Sequence, residues 1–181
     1  MSTNQELFEL KFYEWEKKFK DKPYLRQPFG DEWEEYTWGK VGDMARRLAT
    51  GLKSLGLRDG AHIGIYSKNC REWIISDLAI VMAGYVSVPF FPSLNGKELS
   101  YIMEYGDVDA LFLGKIETWD DIKNDLPNDM PIITYPHYKG CSEITRGFKW
   151  HDFINSYEPI QNPNKPKLSD LWTIIFTSGT T

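Results

Sequence analysis

The chain has 181 residues, of which 41% are apolar and 15% aromatic, with a net charge of -5 and a pI near 5.3. This is about one domain's worth of chain, with enough apolar side chains for a substantial core, so it does not read as disordered. The acidic balance argues against a nucleic-acid backbone as the main partner, because there is no basic surplus to release its counterions.

Residues 6–20 carry Phe8, Phe12, Trp15 and Phe19 at helical spacing among lysines and glutamates, which predicts an amphipathic helix packing an aromatic stripe into the core. Around Gly30-Asp31, the stretches Tyr24-Leu25-Arg26-Gln27 and Glu34-Glu35-Tyr36-Thr37 predict a β-hairpin. Thr37 is placed to cap the next helix, where Val41, Met44, Ala45, Leu48, Ala49, Leu52 and Leu55 share one face and Gly56 is the stop. Lys40, Asp43, Arg46, Arg47 and Lys53 fall largely on its opposite side and read as solvated surface.

A strand over 62–66 leads into residues 73–83, which are apolar apart from Ser76 and Asp77. A helix there is buried on nearly all sides, against a sheet and other helices, and it is too short to span a bilayer. Gly84 ends it, and a strand over 86–92 follows in which Pro89 excludes a fully paired central position. Asn95 and Glu98 suit a capping box for a helix with Leu99, Ile102 and Met103 facing inward. A strand over 110–113, a helix over 118–126, a strand starting near 131–135 and a short helix over 150–157 complete the alternation, with 136–148 irregular. Strands alternating with helices across 61–176 predict a largely parallel sheet with helices on both faces; the strand order is not readable from the pattern.

Cys70 and Cys141 lack any metal-ligand or redox spacing and read as reduced thiols of a cytosolic protein. The N-terminus shows no secretory signal, and His62, His137 and His151 are isolated, so none is assigned a catalytic role. At the end of the chain the apolar run Leu171-Trp172-Thr173-Ile174-Ile175-Phe176 opens into Thr177-Ser178-Gly179-Thr180-Thr181. Hydroxyls and a glycine that admits close backbone approach suit phosphate oxygens; a strand followed by a polar terminus is the plainer alternative.

Four blocks decide between these. They are Tyr36-Thr37-Trp38; Asn69-Cys70-Arg71-Glu72-Trp73 with Asp77-Leu78-Ala79; Ala83-Gly84-Tyr85-Val86-Ser87-Val88-Pro89-Phe90-Phe91-Pro92; and the terminal Ile174-Ile175-Phe176-Thr177-Ser178-Gly179-Thr180-Thr181. In this order they resemble the N-terminal part of the adenylate-forming, AMP-binding acyl-CoA synthetases, and most resemble the long-chain fatty acid branch. A Walker A loop is excluded, since Gly-Lys-[Ser/Thr] is missing.

The resemblance implies an α/β fold: a layered, largely parallel sheet flanked by helices, as an incomplete N-terminal portion of the adenylate-forming large domain. It divides into a helix and hairpin over 1–38, alternating helices and strands over 39–170, and a strand with the start of a phosphate-binding loop over 171–181. It also implies a ligase that activates a carboxylic acid with ATP to an acyl-adenylate and then forms the thioester of coenzyme A. Thr177, Ser178, Gly179, Thr180 and Thr181 would bind the ATP phosphates, with Thr177 also near Mg2+. Asn69, Glu72, Gly84 and Pro89 read as fold determinants.

Family members continue past this loop with a glycine and a lysine, an acidic metal ligand, the acyl pocket and a small domain carrying the catalytic lysine. Residues 1–181 alone are therefore expected to be inactive, and no catalytic residue is assigned within them. A cytoplasmic location, no transmembrane segment, peripheral membrane contact and self-association through apolar surface belong to the same expectation. An aryl-acid ligase, a non-ribosomal adenylation domain, and a free-standing nucleotide- or protein-binding module are the alternatives.

Overall fold

The computed structural model describes residues 8–177. Helix α1 (Phe8–Phe19) and a hairpin of β1 (Pro23–Phe29) and β2 (Glu32–Thr37) precede the long helix α2 (Trp38–Ser54). The Thr37 hydroxyl accepts from the Lys40 amide at 3.1 Å, so the expected cap forms. Phe12 is fully buried, and its ring meets Tyr24 at 5.9 Å and Trp38 at 5.6 Å, while Tyr24 stacks on Trp38 at 3.9 Å. Of the aromatic stripe of α1, Phe12 is therefore core packing, whereas Phe19 is half-buried and Trp15 is 37% exposed, their rings meeting Trp38 at 6.5 and 5.9 Å; the Phe8 side chain lies outside those described. Arg46 departs from the solvated surface expected of it: its guanidinium makes paired bonds of 2.6 and 2.5 Å to Glu16, a half-buried fork that joins α2 to α1.

Beyond α2 the chain builds a five-stranded sheet from β3 (His62–Ser67), β4 (Val86–Phe90), β5 (Val108–Gly114), β6 (Ile132–Thr134) and β7 (Phe148–Lys149). The spatial order is β4-β3-β5-β6-β7 and every pairing is parallel. The period-two alternation of side chains sends Ile63, Ile65, Ala110, Phe112 and Ile133 into one layer, with α1, α2, α3 (Arg71–Ala83) and α6 (Trp150–Asn155). Tyr66, Val88, Phe90, Leu111, Leu113 and Ile132 enter the other, with α4 (Gly96–Tyr105) and α5 (Trp119–Ile122). Both faces are covered, as the near-continuous apolar runs of these strands require.

The punctuation of the sequence is visible in the structure. Gly84, at φ 79°, closes α3 in a Schellman arrangement, with the Tyr85 amide on the Ile80 carbonyl and the Gly84 amide on that of Val81, both at 3.0 Å. Asn95 and Glu98 form the reciprocal capping box at the start of α4. Three elements differ from expectation. Helix α5 stops at Ile122, because Asn124, Asp125 and Pro127 support turns better than helix. The two-residue, exposed β7 carries too short a pattern to announce itself. The terminal run, expected as a strand, makes one isolated bridge between Thr173 and Ser87.

Candidate functional site

The terminal segment runs beside β4 on the outer edge of the sheet, parallel to it: the Ser87 amide donates to the Trp172 carbonyl and the Ile174 amide to the Ser87 carbonyl, both at 2.9 Å. Because the direction is shared, Thr177 emerges where β3, β4 and β5 have their carboxyl ends. From β3 the chain reaches β4 through α3 on one face, then crosses to β5 through α4 on the other, so connections diverge at β3. The carboxyl end of such a reversal is where open parallel sheets leave a crevice for ligands. Two contacts span it here. Lys68 Nζ, just past β3, lies 2.5 Å from Glu117, just past β5, and Lys115 Nζ donates to the Asn69 carbonyl at 2.7 Å. The Lys68–Glu117 hydrogen bond raises the ammonium pKa and lowers that of the carboxyl.

Thr177 is exposed and lines a cavity of about 380 Å³ with Phe91, Ser93, Glu98, Tyr101 and Phe176. On the other side of the terminal segment, Ser67, Lys68, Asn69, Trp73, Phe91 and Ile175 line a second cavity of about 490 Å³. Phe91 is 59% exposed and borders both. Ser178, Gly179, Thr180 and Thr181 lie outside the described residues; of the predicted phosphate-binding residues the structure places Thr177 alone.

Beneath the crevice lies a buried polar network. Glu72 is fully buried; its carboxylate accepts from Arg71 Nε at 2.9 Å and from the Tyr138 hydroxyl. Arg71 also donates to Glu34 at 2.7 Å, and its guanidinium lies over the rings of Tyr36 at 4.1 Å and Phe29 at 4.9 Å. The start of α3, the hairpin and the loop after β6 thus meet at one ion pair. Burial and then the Glu72 charge push the Tyr138 phenol well above its usual range. This supports the reading of Glu72 as a fold determinant.

The profile of the AMP-binding enzymes matches residues 12–181, nearly the whole chain. The chain belongs to the AMP-binding enzyme family. It is 31% identical over 157 residues to Long chain acyl-CoA synthetase 4 of Arabidopsis thaliana, covering 80% of this chain and 23% of that protein. It is 26% identical over 180 residues to the long-chain-fatty-acid–CoA ligase ACSBG2 of Rattus norvegicus, covering 94% and 27%. Among solved structures it is similar to the anthranilate CoA ligase AuaEII, determined in complex with anthranoyl-AMP, at a TM-score of 0.77 and 22% identity over 94% of this chain and 32% of that one. The chain thus spans about a quarter of the length of the curated relatives it matches.

Two of the three histidines lie against backbone carbonyls: His62 Nδ1 is 2.6 Å from that of Gly106 and His137 Nε2 3.0 Å from that of Cys141. Among the described residues no three His, Cys, Asp or Glu side chains gather as a metal cluster. The hard hydroxyl oxygen of Thr177 suits Mg2+, an ion that is commonly held by a few protein oxygens together with nucleotide phosphates and water. Also among the described residues, no helix is long and apolar enough to cross a membrane.

The cavity walls were not evident from the sequence. Trp73 falls in the apolar run 73–83 and Phe91 in the strand run 86–92, so both read as interior, Tyr101 lies outside the inward set Leu99, Ile102 and Met103, and only the proline pair Pro89 and Pro92 marks a backbone that leaves regular pairing.

Both thiols are free, as expected. Cys70 is buried and its pKa is pushed up to about 11, chiefly by burial and then by the Glu72 charge, whereas Cys141 is half-exposed. A disulfide reagent at neutral pH is expected to modify Cys141 readily and Cys70 only through unfolding; equal rates would contradict the burial. The raised Cys70 pKa has a defined sign in stability. The native thiol stays neutral while the unfolded one ionises from about pH 9, so the contribution is complete below pH 9 and lost between about 9 and 11. The size is about 2–3 kcal/mol, and Cys70→Ala removes that part of an alkaline unfolding profile.

Proposed function

We propose that this chain forms the N-terminal part of an AMP-forming long-chain fatty acid–CoA ligase and supplies the segment that grips the triphosphate. The observation that carries this reading is the delivery of Thr177, at the head of a hydroxyl- and glycine-rich run, to the carboxyl ends of a parallel sheet. The long-chain relatives support the acyl class, and the aromatic walls around Phe91 are suited to apolar contact.

In the proposed reaction a carboxylate oxygen attacks the α-phosphorus of ATP, and the bond to pyrophosphate breaks. The thiol sulfur of coenzyme A then attacks the acyl carbonyl, and AMP leaves. Carboxylates are poor electrophiles, and the adenylate supplies the leaving group. The protein must hold the triphosphate in line and offset the charge that develops on pyrophosphate. Thr177, Ser178, Gly179, Thr180 and Thr181 are proposed to do so through hydroxyls and backbone amides, with Thr177 nearest the Mg2+ that would neutralise phosphate charge.

Because the relatives are about four times longer, the full cycle is assigned to a protein of their length, and residues 1–181 alone are proposed not to turn over. Acid-dependent ATP–pyrophosphate exchange by the 181-residue chain is expected to stay at background, and clear exchange would overturn that clause. Calorimetry with Mg-ATP is expected to show binding weaker than micromolar; micromolar affinity would favour a self-sufficient nucleotide-binding module.

A further inference from the structure

The structure assigns Pro89 as a positioning residue: it ends the pairing of the terminal segment with β4 after one bridge, and so sets where the chain turns away before Thr177. The backbone pattern carries this. In a parallel ladder, successive residues of a strand address opposite neighbours. Ser87 turns both its amide and its carbonyl outward, to Trp172 and Ile174. Position 89, two residues on, faces the same outer edge. There the next rung needs an amide donating to the Ile174 carbonyl, and proline has none.

The inner side of β4 confirms the direction. Its pairing with β3 runs through Ile65 opposite Pro89 to Tyr66 opposite Phe90 without interruption, as it should if the proline nitrogen points away from β3. The missing donor therefore acts only on the terminal segment.

Side-chain packing takes over where the ladder stops. Phe176 stacks on Phe90 at 6.3 Å with the planes 11° apart, and meets Tyr105 edge-on at 6.1 Å. Gly106 makes room for it: a Cβ there would lie 3.2 Å from Phe176 Cζ and 3.1 Å from the Ile102 carbonyl oxygen. Ile175 projects the other way, into the cavity with Trp73. The segment keeps an extended alternation after leaving the ladder, held by one ring instead of by backbone rungs. Restoring a donor at position 89 would favour further rungs, through the Ile174 carbonyl and then from the Phe176 amide to the carbonyl of residue 89, and would draw the segment against β4 up to the residue before Thr177.

The inference concerns the loop to which the proposed function assigns phosphate binding, and its functional half rests on that reading. Amide hydrogen exchange on the 181-residue chain tests the structural half without any variant. The Ile174 amide is expected to exchange at least tenfold more slowly than the Phe176 amide, and equal protection would show that the ladder passes Pro89 and overturn the assignment. In Pro89→Ala the Phe176 amide is expected to slow about tenfold, with a new protected amide at position 89; a folded variant with Phe176 exchange unchanged would overturn it as well. Mg-ATP titrated to millimolar concentration and followed by amide shifts at Thr177 then tests the consequence. Saturation is expected to need about tenfold more nucleotide in Pro89→Ala, the equivalent of one misplaced backbone contact. If neither chain responds to nucleotide, the phosphate reading fails while the exchange data still decide the role of Pro89.

Discussion

Replacing Glu72 with alanine is expected to cost about 3–5 kcal/mol of folding stability, the usual penalty for removing one partner of a buried ion pair. Glu72 is fully buried and Arg71 is 6% exposed, so the guanidinium left behind cannot recover its hydration. It would keep the bond to Glu34, which lies on the exposed hairpin, but lose the acceptor at 2.9 Å that balances it inside. Tyr138 would lose the acceptor of its hydroxyl at the same time. Urea unfolding measures the loss. Tyr138→Phe, which removes a donor and leaves the ion pair, should cost about 1–3 kcal/mol. A Glu72→Ala loss below that of Tyr138→Phe would mean that water reaches Arg71 and that the network is a surface feature. Arg71 and Glu72 open α3, and Asn69 just before it and Trp73 in its first turn line the second cavity, so looseness here would spread to the site's wall.

Local signals in the sequence translated directly into structure. Thr37, Gly84, and Asn95 with Glu98 each act through their own neighbours, and each forms the cap its spacing implies. The layered parallel sheet was legible too, because strands covered on both faces need unbroken apolar runs. Non-local facts were out of reach. Arg46 reads as a surface charge until Glu16, thirty positions earlier, is brought beside it. The strand order depends on which crossovers pack on which face, which no local pattern encodes. The terminal run has every mark of a strand, and what limits it is a missing donor on a different strand, at Pro89. For the candidate site, the sequence marks the hydroxyl-rich run on which the proposed function rests, of which the structure places Thr177 alone, whereas the cavities beside it arise from α3 and α4 packing around Phe91.

Truncating one large core side chain on each face of the sheet should produce additive losses that together approach the stability of the fold. Phe112 lies on the middle strand β5, is fully buried, and faces Tyr135 at 6.1 Å and Trp150 at 6.3 Å in the layer of α3 and α6. Leu99, on α4, is fully buried in the opposite layer. Phe112→Ala is expected to cost about 3–5 kcal/mol and Leu99→Ala about 2–5, since each leaves a cavity that its neighbours fill only in part. The two clusters are separated by the sheet and share no side-chain partner, so the double variant should lose the sum to within about 0.5 kcal/mol. That sum is comparable to the roughly 5–15 kcal/mol by which domains are usually stable, so the double variant should lie at the edge of unfolding at 25 °C while each single variant still melts cooperatively. A coupling well above that margin in urea titrations would mean that the layers relax into each other through the sheet. The sheet would then be too soft a platform to hold the end of β4, and with it the exit of the chain toward Thr177, at a fixed place.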